Sequence, residues 1–107
     1  MPTTKSIKSA IFKILVLGIL YKEETYGYDI IDKIKNLSNG EVLMKEGTLY
    51  PLLKSLKSNQ FLHSSWKNSK LGKARKYYSI TEQGKAEYRH LIIEWNQMNA
   101  MIIKLQA

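Results

Sequence analysis

The sequence has no cysteine among its 107 residues, which excludes disulfide bridges, thiolate metal sites, iron–sulfur clusters and cysteine nucleophiles. Acidic residues are also scarce: 9 Asp and Glu stand against 17 Lys and Arg, so the formal net charge is +8. So large a positive excess on a short chain favours an acidic partner such as nucleic acid or an anionic membrane surface. The hydrophobic share of 44% is typical of a folded protein, and the length is that of one small domain.

Long apolar runs are absent as well. The longest, Ile14–Tyr21, has eight residues, whereas a membrane-spanning helix needs about 20. A charged segment, Lys22–Glu24, follows where a signal peptide would have its small-residue cleavage site, so we predict a cytoplasmic protein. His63 and His90 have no clustered acidic partner, and the chain contains no phosphate-binding loop or nucleophile motif. The sequence therefore predicts no catalysis, no metal and no cofactor.

Helical spacing of apolar residues predicts three helices in the first sixty residues. The first runs from about Thr4 or Ser6 to Lys22, the second from about Tyr26 to Leu37 with Thr25 as its N-cap, and the third from about Gly47 to Asn59. The turn residues Ser38-Asn39-Gly40 end the second helix. The third helix buries one face, which consists of Leu49, Leu52, Leu53 and Leu56.

After the third helix, the spacing of apolar residues changes to that of strands. It predicts two strands, Phe61–Lys67 and Arg75–Ile80, joined by a polar loop that contains glycine. We expect the aromatic residues of this hairpin, Trp66, Tyr77 and Tyr78, to pack within it. Thr81 caps a long last helix. The order helix, helix, helix, hairpin, helix predicts an α+β, mainly α fold: a winged helix-turn-helix with a long C-terminal dimerisation helix.

The hairpin carries five positive charges within ten residues and no acidic residue among them: Lys67, Lys70, Lys73, Arg75 and Lys76. Beside a helix-turn-helix, such a run predicts contacts with phosphates or with the minor groove. The exposed face of the third helix carries hydroxyls, a phenol and a lysine, which suits a helix that lies in the major groove. The plainer alternative is that both surfaces are only solvated.

The last helix has an apolar seam at spacings of 3 and 4 residues, formed by Tyr88, Leu91, Trp95, Met98, Ile102 and Leu105. A second stripe shares its centre and adds Ile92 and Asn99. A helix with two such stripes needs two partners, and we predict the first helix of its own chain and the helices of a second copy.

Three blocks of sequence resemble the PadR family of bacterial transcriptional regulators: T-Y-G-Y-D-I-I at 25–31, E-G-T-L-Y-P-L-L-K-S-L at 46–56 and G-K-A-R-K-Y-Y-S-I-T-E-Q-G at 72–84. The resemblance implies a homodimeric repressor of a palindromic operator in double-stranded DNA. It implies a DNA-binding domain at 1–80, whose first helix also enters the dimer interface, and a dimerisation helix at 81–107. The predicted DNA-binding residues are Tyr26, Lys45, Thr48, Tyr50, Pro51, Lys54, Lys73, Arg75 and Lys76.

The chain departs from the family pattern at three positions. Ser55 stands where the family usually has Arg, Lys57 where Glu is common, and Gln60 where Gly usually ends the recognition helix. The first two leave open which exposed residues read bases. The third predicts a different helix terminus, because Gln adopts the left-handed conformation less readily than Gly.

Trp95 lies where the two stripes of the last helix overlap, and it has two interpretations. It is either ordinary interface core or one of two indoles that face each other across the dimer axis and bracket a pore. By resemblance, some small family members stack flat aromatic effectors on such a tryptophan. The residues predicted for this pocket are Ile14, Gly18, Tyr88, Ile92, Trp95 and Asn99. Two alternatives stay open, a repressor without an effector and a winged-helix module whose basic wing binds an acidic protein.

Overall fold

The computed structural model describes residues 4–68 and 72–107. The elements are α1 (Thr4–Lys22), β1 (Thr25–Tyr26), α2 (Gly27–Leu37), α3 (Glu46–Ser58), β2 (Leu62–Asn68), β3 (Ala74–Ile80) and α4 (Glu82–Gln106). This mainly helical winged helix-turn-helix confirms the predicted fold class. Lys70 of the predicted basic loop lies outside the described residues. Within the described part of the chain, no helix is both long enough and apolar enough to cross a bilayer.

The core forms where α1, α2 and α3 meet. α2 and α3 contribute the apolar faces that their spacing predicts, through Ile30, Ile34, Leu49 and Leu53, and α1 contributes Leu17. Burying one such side chain stabilises the fold by about 1.5–3 kcal/mol. The polar faces of α2 and α3 are thereby turned outward, which fixes the side of α3 that is available to a partner.

The sheet has three strands and not the two of the predicted hairpin. Its order is β1-β3-β2 with antiparallel pairing, and Thr25 and Tyr26 of β1 lie opposite Tyr78 and Tyr77 of β3. The prediction that Thr25 caps α2 is therefore wrong: Tyr26 is the N-cap residue, and the Thr25 hydroxyl donates to Asp29 Oδ2 at 2.6 Å. The cause is tertiary, since pairing with β3 holds this dipeptide extended.

The start of α4 is fixed by Thr81 and Gly84. Thr81 caps the helix as predicted, because its hydroxyl accepts the Gly84 N–H at 2.9 Å. Its own N–H donates to the Phe61 carbonyl at 3.0 Å. A Cβ on Gly84 would lie only 2.2 Å from that same carbonyl oxygen. The first turn of α4 thus packs directly on the backbone that joins α3 to β2, and only glycine permits this distance.

The predicted change of terminus at the end of α3 is wrong. Gln60 takes the left-handed conformation, with φ of 65°, that glycine would take there. The Phe61 N–H donates to the Leu56 carbonyl at 2.9 Å, and the Gln60 N–H donates to the Lys57 carbonyl at 2.9 Å. These two bonds satisfy carbonyls that the helix end leaves free, so the chain keeps the turn despite the side chain.

We predict that Gln60→Gly stabilises the protein by about 0.5–1 kcal/mol. Relief of the left-handed strain exceeds the entropy that glycine adds to the unfolded chain. Asn59→Gly is the matched control: φ at Asn59 is −85°, so glycine relieves nothing there and should destabilise. Urea unfolding followed by circular dichroism measures both, and a loss of stability in Gln60→Gly would contradict the strain argument.

Candidate DNA-binding interface

An aromatic and cationic cluster joins the wing, the hairpin of β2 and β3, to the start of α2. The Arg75 guanidinium carbon lies 4.4 Å from the centre of the Tyr26 ring. The Tyr26 and Tyr77 rings, which belong to cross-strand partners, are 5.3 Å apart with an edge-on geometry. The missed strand β1 therefore brings two predicted DNA-binding residues, Tyr26 and Arg75, into contact across a sequence separation that spacing alone could not bridge.

Tyr50 of α3 packs over Gly27, the first residue of α2. A Cβ on Gly27 would lie 2.6 Å from the Tyr50 hydroxyl oxygen, so the absence of a side chain lets the phenol approach the α2 backbone. The ring stays 39% exposed. Burial raises the pKa of Tyr50, the Glu46 carboxylate adds to the rise and Arg75 opposes it. The hydroxyl is therefore protonated at neutral pH and can donate a hydrogen bond.

Sequence reasoning missed Tyr28 and Glu46 as members of this surface. The neighbouring Glu46 carboxylate is the main reason why the pKa of Tyr28 is raised. Tyr28 belongs to α2 and Glu46 begins α3, so the N-termini of the two helices lie near each other. Both residues stand within the motifs that carry the family resemblance, and that position was the only signal in the sequence.

The other predicted DNA-binding residues are exposed or half-buried. Lys45 precedes α3, and the exposed side of α3 carries Thr48, Pro51 and Lys54. On the wing, Lys73 is exposed and Lys76 is half-buried, with its amine 5.9 Å from the centre of the Tyr78 ring.

Lys67 belongs to the predicted basic run but is already engaged. Its amine forms an ion pair with Glu24 and lies 5.4 Å from the centre of the Tyr77 ring. This pairing lowers the net charge on its side of the wing. Lys73, Arg75 and Lys76 then carry the greater part of the positive charge that the described wing residues offer to a partner.

The expectation that Trp66 packs within the hairpin is wrong. Tyr78 is buried and Tyr77 packs against Tyr26, as predicted, but the Trp66 side chain is 70% exposed. Its cross-strand neighbour is Lys76, which offers an alkyl stem and no apolar surface large enough to cover an indole. On this side of the hairpin the core ends two residue pairs earlier, at Ser64 and Tyr78.

A groove of ≈ 670 Å³ runs between α1, α2 and α4. Four of the six residues predicted for an effector pocket line it: Ile14, Gly18, Tyr88 and Ile92. Trp95 and Asn99 lie farther along α4, beyond this lining. The space beside Gly18 is taken by the Tyr88 ring, whose Cε1 atom is 3.0 Å from a Cβ built on that glycine.

The three-helix core, the small sheet and the extended hairpin define a winged helix-turn-helix protein. The sequence model of the transcriptional regulator PadR-like family matches residues 16–90. The chain belongs to this family, which confirms the resemblance of the three motifs. Members of the family are transcriptional regulators and not enzymes, in agreement with the prediction. Among residues 4–68 and 72–107, no three His, Asp or Glu side chains are grouped as a metal site requires.

Known proteins similar to the chain include regulators. Uncharacterized protein X of Lysinibacillus sphaericus is 32% identical over 88 residues, which make up 82% of this chain and 81% of that protein. Transcriptional regulator YqjI of Escherichia coli is 31% identical over 72 residues, 67% of this chain but only 33% of YqjI, so the chain spans about a third of that relative. The structure of a PadR-like transcription factor from Bacteroides fragilis has a TM-score of 0.79 and 32% identity, and the match covers 94% of this chain and 95% of that one.

We predict that Gly27→Ala weakens DNA binding several-fold while changing the free energy of unfolding by no more than about 1 kcal/mol. The new methyl group must displace the Tyr50 ring, the end of a flexible side chain, and alanine also favours the helix. The measurement is fluorescence anisotropy with a labelled duplex, alongside thermal unfolding. In a Tyr50→Ala background the same substitution should have no further effect on affinity, and simple additivity of the two effects would contradict the coupling.

Proposed function

We propose that this PadR protein is a cytoplasmic, homodimeric repressor that binds a palindromic operator and releases it when a flat aromatic effector enters the dimer interface. Residues 1–80 form the DNA-binding domain, and residues 81–107 form the dimerisation helix. The observation that supports this best is the aromatic and basic surface that extends from Tyr50 of α3, through Tyr26, to Arg75 of the wing. A surface of this kind beside an exposed helix suits a DNA duplex.

Each part of this surface has a distinct role on the duplex. The exposed side of α3, with Thr48, Tyr50 and Lys54, enters the major groove, where hydroxyls and amines meet base edges. The wing cations lie along the phosphates of the neighbouring minor groove. Contacts with phosphates supply affinity and set the register, whereas contacts with base edges supply sequence preference.

We predict that Lys73→Ala with Lys76→Ala weakens binding to a duplex of mixed sequence and lowers the slope of log K against log salt by about one unit for each lost phosphate contact. Arg75 is kept because it also packs on Tyr26. Lys35→Ala with Lys104→Ala is the matched control, since it removes the same charge from exposed positions outside this surface. Equal slopes for the two variants would mean that the wing is only a solvated surface.

The exposed part of α4 supports dimerisation. Tyr88, Leu91 and Ile92 are half-buried next to the core, but from Ile93 onward the large apolar residues are exposed. Trp95 is 43% exposed and Ile102 55%. Monomeric proteins rarely leave a continuous apolar stripe in water, and a second copy of α1 and α4 would cover it.

We predict that the protein sediments at twice the mass of one chain and that Ile102→Glu converts it to a folded monomer. Gln97→Glu is the matched control: it adds the same charge to α4 about 140° around the helix, away from the stripe, and should leave the dimer intact. Analytical ultracentrifugation with circular dichroism tests both variants. A wild-type protein that is monomeric at micromolar concentration would overturn the dimer and the operator geometry together.

The effector site combines the groove with Trp95. In one protomer the groove is open on the side of α4, and Trp95 follows Ile92 by three residues on the same helix. A second copy would close this space and bring the two indoles toward each other. A ligand that stacks on both gains about 0.5–1.5 kcal/mol for each aromatic pair, besides apolar burial. The ligand causes the protein to release DNA only if it favours a dimer in which the two α3 helices no longer match the half-sites of the operator.

We predict that planar cationic dyes quench the fluorescence of a Trp66→Phe variant saturably at micromolar concentration, since Trp95 is then the only indole. In Trp95→Ala, tested as a folded dimer by isothermal titration calorimetry with the same dyes, affinity should fall at least tenfold. Unchanged affinity without Trp95 would make this residue ordinary interface core. Absence of binding by the whole panel would favour a repressor that responds to no effector of this class.

A further inference from the structure

Trp66 is the large aromatic residue of the wing that the fold leaves uncovered. It belongs to β2, and on the same side of the hairpin Leu62 is buried and Ser64 half-buried, so this side passes from core to solvent along the strand. The indole is 70% exposed, although Tyr78, on the same side, is buried. Packing of the hairpin therefore accounts for Tyr78 and Leu62 but not for Trp66.

The charges around Trp66 are positive. Lys76 lies directly across the strands from it, and Lys67 follows it in the chain. Neighbouring residues of a strand point to opposite sides, so Arg75 and Lys67 share the other side, where Arg75 covers Tyr26 and Lys67 pairs with Glu24. The side that carries Trp66 thus presents an uncovered indole together with Lys76, a cation for which this structure has no carboxylate within ion-pair distance among the described residues.

We propose that Trp66 is a DNA-contacting residue of the wing, with its ring against a deoxyribose and its N–H donating to a phosphate that Lys76 neutralises. The inference rests on the proposed function, because it adds a contact on the other side of the same wing. An indole suits this role since it combines a broad apolar face with a single hydrogen-bond donor. The contact is with the backbone, so it strengthens binding to any sequence and adds no base preference.

The first test separates an uncharged contact from a charged one. Trp66→Ala should lower affinity for a labelled duplex of mixed sequence about tenfold and leave the salt slope unchanged, because no charge is lost. Lys76→Ala should lower the slope by about one unit for each lost phosphate contact. Trp66→Phe should retain part of the affinity, since it keeps a ring and loses the N–H. His63→Ala is the matched control, an exposed position of β2 that pairs with Ser79 near the base of the hairpin, and should bind normally.

The second test observes the indole directly and does not depend on truncating it. In Trp95→Phe, Trp66 is the only tryptophan, and its fluorescence should be readily quenched by acrylamide in the free protein. The same mixed-sequence duplex should protect it and shift its emission to shorter wavelength. A wild-type protein that binds no DNA would refute the proposed function and this contact with it. Normal DNA binding by Trp66→Ala, or an indole that stays equally accessible on DNA, would overturn the contact alone.

Discussion

The middle of α1 is the contact on which the other elements depend. Val16 and Leu17 have no exposed surface, and Leu20 has almost none. Side chains from α2, α3, the sheet and α4 all belong to the cluster around them. Since one helix serves as the common partner, the orientation of α3 and the direction of α4 are set by the same packed surface. Lys13, whose amine lies 2.7 Å from the Glu87 carboxylate, joins α1 to α4 at its edge.

Two close contacts, each made possible by a glycine, position the outward-facing surfaces on this core. Gly27 admits the phenol of Tyr50 to the start of α2, and Gly84 admits the start of α4 to the Phe61 carbonyl. Both positions tolerate no larger residue without movement of a neighbour, but the neighbours differ. At Gly27 a flexible side chain can move, so a larger residue would disturb the proposed DNA-binding surface. At Gly84 the neighbour is backbone, so the cost falls on the fold itself.

Helix α2 connects the proposed DNA-binding surface to the groove. Its first residues meet Tyr26 and Tyr50, and its later residues Lys33 and Leu37 line the groove. Between them lies Asp29: partial burial alone would raise its pKa, but hydrogen bonds from Lys33 and Thr25 outweigh this and lower it. Asp29 is therefore ionised at neutral pH and holds a groove residue and a β1 residue together.

Periodicity and local chemistry were sufficient for the helices, for the two long strands, and for Thr81 as the cap of α4. These features depend on residues close in sequence, and the three motifs carried the family.

Strand β1 was beyond the sequence because two residues form a strand only when a distant partner, β3, offers them hydrogen bonds. The burial of Trp66 was predicted wrongly for a related reason. The alternation of side chains along a strand shows which side of the hairpin carries Trp66, but it does not show where along the strand the core ends. At Gln60 the structure overrides a local preference. Hydrogen bonds to the Leu56 and Lys57 carbonyls across the helix end outweigh the intrinsic preference of glutamine against left-handed backbone. The sequence alone determined the four helices, the two long strands and the family to which the chain belongs, because nearby residues specify them. Only the tertiary structure decided which side chains meet at the proposed DNA-binding surface and which stay uncovered, because that depends on contacts between segments far apart in the chain.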